Sequence, residues 1–164
     1  AGETAALIAM IRTGQSQLRE PLYSKKAQDR TTDWGKTYVE IDLTNQHVYM
    51  YQDGNLAWDA PCVTGNVSKN YTTPEGIYSL TYKQTDRVLR GEKKADGTYE
   101  YESHVDYWMP FNGGIGLHDA SWRSKFGGTI YQYGGSHGCI NLPSGKAKTL
   151  YDMVYTGIPV ICYN

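Results

Sequence analysis

The spacing of apolar and polar positions changes character once along the chain. In "ETAALIAMIRTG" the apolar residues recur at helical spacing, with Leu7, Ile8 and Ile11 on one face and Gly14 placed to stop the helix. The next stretch, "QSQLREPLYSKKAQDRTTDWG", is polar and has no clean period. Residues 1–33 are therefore expected to be the tail of an upstream domain plus a linker, and residues 34–164 the domain that follows.

From Tyr38 the period shortens to two. "TYVEIDL" alternates, and "HVYMYQDGNLAW" predicts a hairpin that turns at Asp53-Gly54, a pair that tolerates positive φ. "DAPCVTG" continues as a strand, and "TTPEGIYSLTYK" opens on a Pro-Glu-Gly turn before another. "RGEKKADGTYEYESH" is charged and predicts a long mobile excursion, whereas "VDYWMPFNGGIGLHD" is aromatic, then glycine-rich, and ends on a histidine. Near the end, Ala147, Leu150, Tyr151 and Val154 form one helical stripe, with Gly157 and Pro159 beyond it and "IPVICYN" as a last strand. The expected fold is mainly β, a sandwich or barrel with one packed helix before the last strand.

Composition narrows the function classes. A chain of 164 residues can bury roughly 70% of its unfolded surface, enough for one core. Its formal net charge of −1 gives no electrostatic case for nucleic acid or an anionic membrane. No apolar run approaches the roughly 20 residues needed to span a bilayer. The chain starts at Ala1 without a signal-peptide pattern, so a fragment is expected, with any membrane anchor outside it. Tyrosine is the outlier, 15 against two phenylalanines. It suits half-buried strands and also clefts that hold sugars or peptides.

Of three cysteines, Cys62 and Cys162 sit in apolar strand-like runs and suit the core. Cys139 sits instead in "GGSHGCINLP". A free thiol with a pKa near 8.5 is only about 3% thiolate at pH 7. Lowering it to about 6 requires roughly 3.4 kcal/mol, whereas a helix N-terminus near Pro143 supplies about 0.3–1 kcal/mol. A histidine partner is needed. His47 and His104 suit surface or hairpin positions. His137 is two residues from Cys139 and shares its face in an extended segment. His118 ends "GGIGLHD", with Asp119 next to it to orient the ring. Gly138, lacking a Cβ, allows a bend that aims the N–H groups of Gly138 and Cys139 at one spot, an oxyanion hole.

At these residues the chain resembles the L,D-transpeptidases, the YkuD-like family of the bacterial cell wall. The resemblance rests on His118, 17 intervening residues, then Ser136-His137-Gly138-Cys139-Ile140-Asn141. "YVEIDLTNQHVYMYQDG", "TTPEGIYSL", "YWMPFNGGIGLHDASW" and "GIPVICYN" extend it from Tyr38 to the C-terminus. It implies a YkuD-like β-sandwich or barrel acting outside the cytoplasm in the cell envelope, without a metal or other cofactor. Cys139 would attack a peptidoglycan stem peptide, release D-alanine, and pass the acyl group to the side-chain amine of a second stem. Carbapenems would acylate the same thiol. His118 would be the base and Asp119 its orienting position, which in some relatives acts through the backbone carbonyl. His137 would shape the pocket, while Ser136 and Asn141 would hydrogen-bond locally or to substrate. Tyr107, Trp108, Met109 and Trp122 flank the motif as candidate walls of a peptide cleft, with core packing the alternative for each. The charged excursion before them is a candidate lid.

Three other functions compete. A zinc site of His118, Asp119, His137 and Cys139 has the residue types but lacks Cys-X-X-Cys or His-Glu-X-X-His spacing. A cell-wall binding module gives no reason for a His-paired thiol beside a glycine. An L,D-carboxypeptidase keeps the chemistry and gives the acyl group to water.

Overall fold

The computed structural model describes residues 2–14, 16, 18, 32 and 34–164. Most of the stretch expected to be a linker lies outside the described residues. The chain divides into two units, Ala1–Gly35 and Lys36–Asn164. In the first, helix α1 (Gly2–Thr13) leaves Leu7, Ile8 and Ile11 exposed. It ends where the Gly14 N–H donates to the Ile11 carbonyl.

In the second unit, alternation in the sequence becomes two sheets facing one core. Strands β1 (Tyr38–Asp42), β2 (His47–Gln52) and β3 (Asn55–Pro61) form an antiparallel meander with Asp53 and Gly54 at positive φ in the expected turn. After a 3-10 turn at Val67–Lys69 come β4 (Gly76–Ser79), β5 (Gln84–Arg90), β6 (Glu102–Asn112) and β7 (Ile115–Asp119). A short helix, α2 (Ile130–Gly134), precedes β8 (Ile140–Leu142), α3 (Ser144–Met153) and β9 (Pro159–Tyr163). One sheet has the order β3-β2-β1-β9-β4 and the other β5-β6-β7-β8. Val39, Ile41, Val48 and Met50 of the first sheet meet Met109, Leu117, Ile140 and Leu142 of the second in one buried cluster. Ala147, Leu150 and Val154 of the predicted stripe close it from α3 and its C-cap.

The charged excursion is not an irregular loop. It is the far end of a β5–β6 hairpin, whose pairing continues outward through Gly91 N–H to Tyr101 O and Lys94 N–H to Thr98 O. Most of β5 is exposed on both faces, so no apolar alternation marks it. The short α2 likewise has no sequence signal.

Two parallel pairings depart from the meander, β1 with β9 and β7 with β8. The second builds the site. Its register sets Leu117 beside Ile140 and His118 beside Asn141, so Cys139 lies immediately before the strand paired with the histidine.

Candidate active site

Cys139 and His118 line one cleft of about 200 Å³, together with Ser136, Asn141 and Trp122. His118 is almost fully buried. Its Nδ1 lies 2.7 Å from the carbonyl oxygen of Asp119. A carbonyl only accepts, so Nδ1 carries the proton and Nε2 keeps its lone pair. At Nε2, the side-chain amide of Asn141 donates over 3.0 Å, while the Asn141 Oδ1 accepts from Arg123 Nε at 2.8 Å. Arg123 Nη2 is anchored on the carbonyl of Gly134. The guanidinium thus sets which end of the Asn141 amide faces the imidazole.

The Asp119 carboxylate does not reach the ring. Successive strand residues point to opposite faces, and Asp119 Oδ1 instead accepts the Tyr107 N–H at 2.8 Å. It is the backbone carbonyl of this residue that orients His118.

Cys139 sits on a turn whose Gly138 is buried at φ +114°, and an added Cβ would lie 3.2 Å from Ile115 Cδ1. Ser136 Oγ accepts the Gly138 N–H at 3.0 Å and donates to the Cys139 carbonyl at 2.6 Å. Of the two N–H groups expected as oxyanion donors, that of Gly138 is therefore already bonded to Ser136.

Although Cys139 keeps part of its surface open, burial pushes its thiol up to about 11, opposed in part by a hydrogen bond from the Gly116 N–H. Burial lowers the pKa of His118, against the Asp119 carbonyl bond and the Asp119 charge, with Arg123 acting in the same direction as burial. At neutral pH the resting pair is a thiol and a neutral imidazole. The thiolate near pH 6 expected from the motif is not the resting state. Burial favours the uncharged form of both groups.

His137 stands two residues before Cys139, between two tyrosine rings. Its ring is flanked by Tyr71 and Tyr101, with centroids at 4.5 and 4.6 Å, and its Nε2 lies 3.4 Å from Glu100 Oε1. Trp108 and Trp122 approach the His118 ring to 5.8 and 5.9 Å. Trp108 is held by a bond from its Nε1 to the Tyr82 hydroxyl. Tyr107 and Met109 point the other way along β6. Tyr107 packs on Tyr151 of α3, and Met109 is fully buried in the core.

Residues 36–162 match the family model for the L,D-transpeptidase catalytic domain. The chain belongs to the L,D-transpeptidase family. No curated protein sequence matches it, but solved structures do. A mutant of the Enterococcus faecium L,D-transpeptidase is 37% identical, with a TM-score of 0.83 over 99% of this chain and 63% of that one. The Ldtfm-avibactam carbamoyl enzyme is 38% identical, with a TM-score of 0.84 over 99% of this chain and 62% of its own. The catalytic domain of the E. faecium enzyme acylated by ertapenem is 42% identical, with a TM-score of 0.67 over 79% of this chain and 98% of that one. The chain thus spans about three-fifths of the length of the first two relatives.

Several residues of this L,D-transpeptidase domain's cleft have no sequence signal. Leu89, Tyr101 and Ser103 reach it from the β5–β6 hairpin, and Arg123 from the loop after β7. "DASWRSKFGG" has no period, so nothing marks Arg123 as the partner of a residue in the motif.

Proposed function

We propose that the chain is the catalytic part of an extracytoplasmic peptidoglycan L,D-transpeptidase. Cys139 is the nucleophile and His118 the base. The carrying observation is that Nδ1 of His118 donates to a backbone carbonyl, which leaves the lone pair on Nε2, and that His118 and Cys139 line the same cleft. In the first half-reaction the Cys139 proton passes to Nε2 while sulfur bonds to the carbonyl carbon of a stem peptide. The imidazolium then protonates the departing D-alanine nitrogen, and a thioester remains. In the second, His118 takes a proton from the amine of another stem, whose nitrogen bonds to the thioester carbon. Sulfur leaves and recovers the proton. A positioned imidazole contributes about 10²–10⁴-fold to such transfers.

The two orienting bonds on His118 serve different ends. The Asp119 carbonyl fixes the tautomer, and Asn141 marks the place where the thiol hydrogen must arrive, so its amide yields as the proton transfers. The walls of the peptide cleft are Trp108, Trp122 and Tyr101, with His137 as the spacer that keeps Tyr71 and Tyr101 apart. The β5–β6 hairpin is the lid, and residues 1–33 are the end of a preceding domain and its connector. That a related catalytic domain is acylated by ertapenem supports carbapenems as covalent inhibitors here.

The test is intact mass after incubation with a carbapenem. One adduct is expected on the native chain and none on Cys139→Ala, and an adduct that survives this substitution would refute the assignment. With a disaccharide tetrapeptide, a cross-linked dimer is the expected product. A tripeptide alone would make the protein an L,D-carboxypeptidase.

A further inference from the structure

The turn that carries Cys139 is cradled by a segment outside both sheets. Val63 and Asn141 exchange backbone hydrogen bonds, Ser136 N–H donates to Thr64 O, and Asn66 N–H donates to Ser136 O. Both ends of the turn are thereby fixed to residues 63–66. Inside it, Ser136 Oγ holds two peptide groups, the one ending in the Gly138 N–H and the one beginning with the Cys139 carbonyl. The peptide group between them joins the Gly138 carbonyl to the Cys139 N–H. That group is gripped by Thr73, whose Oγ1 donates to Gly138 O at 2.7 Å and accepts from the Gly65 N–H at 3.1 Å. Thr73 is only 6% exposed. Gly65 must lack a side chain for this crossing, because a Cβ there would lie 1.8 Å from the Tyr71 carbonyl oxygen.

A trans peptide is planar, with its C=O and N–H pointing in opposite directions. Pinning the Gly138 carbonyl therefore aims the Cys139 N–H. We propose that Thr73 is a positioning residue for catalysis, whose hydroxyl fixes the Gly138–Cys139 peptide plane and so points the Cys139 N–H at the oxyanion of the transition state. The assignment rests on the acyl-transfer function proposed above. Ser136 cannot substitute, since its hydroxyl is spent on the two flanking planes. Thr73 touches no reacting atom and acts wholly through the backbone. Losing an oxyanion donor outright costs about 10²–10³-fold, and a donor left in place but free to rotate loses about 10- to 100-fold.

The experiment compares Thr73→Val, Thr73→Ala and Thr73→Ser with the parent chain. Valine keeps the shape without the hydroxyl, alanine leaves room for a water to satisfy the two exposed backbone groups, and serine retains the hydroxyl. Carbapenem acylation should slow about 10- to 100-fold in the valine and alanine variants, with the non-covalent binding constant unchanged, and return to within about threefold of the parent in Thr73→Ser. The infrared band of the acyl carbonyl should rise in frequency in the two slow variants only, because a weakened hydrogen bond leaves a stiffer C=O. A parental rate in the alanine or valine variant would overturn the proposal. So would a slower rate with an unmoved carbonyl band, or a loss confined to non-covalent binding. A second arm needs no reaction. The amide signal of Cys139 in a ¹H–¹⁵N spectrum should move in Thr73→Val or Thr73→Ala and stay in Thr73→Ser. If the parent formed no Cys139 adduct, the function proposed above would fall, while an unmoved amide signal would still refute the positioning claim by itself.

Discussion

The amide nitrogen of Asn141 lies 3.0 Å from His118 Nε2, the nitrogen proposed to receive the thiol proton. An amide N–H donates to a neutral imidazole and is repelled by a protonated one, so this bond favours the basic form. In Asn141→Asp a carboxylate replaces the donor and favours the imidazolium. The pKa of His118 should rise, moving the acid limb of the acylation profile to higher pH. Acylation on the acid side should fall relative to the parent and recover as the pH rises. A pH–rate series with a carbapenem reads this directly, and an unmoved acid limb would exclude the contact from catalysis.

Asp119 gives a contrasting outcome. Its carboxylate accepts the Tyr107 N–H, and its carbonyl holds His118. Asp119→Asn keeps both acceptors, so acylation should stay within about threefold of the parent. Asp119→Leu leaves the part-buried Tyr107 N–H without its acceptor and should cost about 1–3 kcal/mol of stability. Acylation rates and thermal melts separate the two. A hundredfold rate loss in Asp119→Asn would restore the carboxylate as the orienting group.

Period-two strands make much of this fold legible in the sequence. The Asp53-Gly54 hairpin and the α3 stripe follow from local spacing, whereas the choice of His118 as partner for Cys139 rests on the residue types around each and on the family resemblance. The same period carries the answer for Asp119, since neighbours on a strand face opposite ways and the ring and the carboxylate cannot meet. Other features have no local signature. β5 is exposed on both faces, β8 is three residues long, and the contact from Thr73 to Gly138 joins positions 65 residues apart. Arg123 shows its role only when the β7–β8 register brings Asn141 beside His118.

Stability should form a plateau in pH. Burial lowers the folded-state pKa of His118 below its ordinary value of 6.5. Below that pH the unfolded chain binds a proton that the folded chain refuses, and stability falls with acid. The thiols act at the other end. Cys139 is pushed up to about 11 and Cys162 to about 12 from an ordinary value of 9.0. Above pH 9 the unfolded chain releases protons that the folded chain keeps, so stability falls again. Denaturant midpoints should be highest between about pH 6.5 and 9. Cys139→Ala should flatten part of the alkaline loss. The difference in absorbance at 240 nm between the two proteins should place the thiolate transition near 11. A transition below 8 would show a preformed thiolate–imidazolium pair instead.

Gly138→Ala should damage the site more than the fold. At φ +114° an L-residue is strained, and the new methyl would press on Ile115 Cδ1 at 3.2 Å. The cost should be about 1–3 kcal/mol, within reach of a domain whose core lies elsewhere. Relief of that strain requires the Gly138 backbone to rotate. Rotation breaks the bonds from Gly138 N–H to Ser136 and from Thr73 to Gly138 O, and it swings Cys139 away from His118. Acylation should therefore fall by about 10²-fold or more, while circular dichroism and the thermal melt still report a folded protein. Pairing with Ile115→Ala separates the two causes. If contact with Ile115 dominates, the double variant recovers most of the rate. If the backbone angle dominates, the rate stays low even though the methyl has room, and that second result is the one expected from a turn whose peptide planes are held by Ser136 and Thr73.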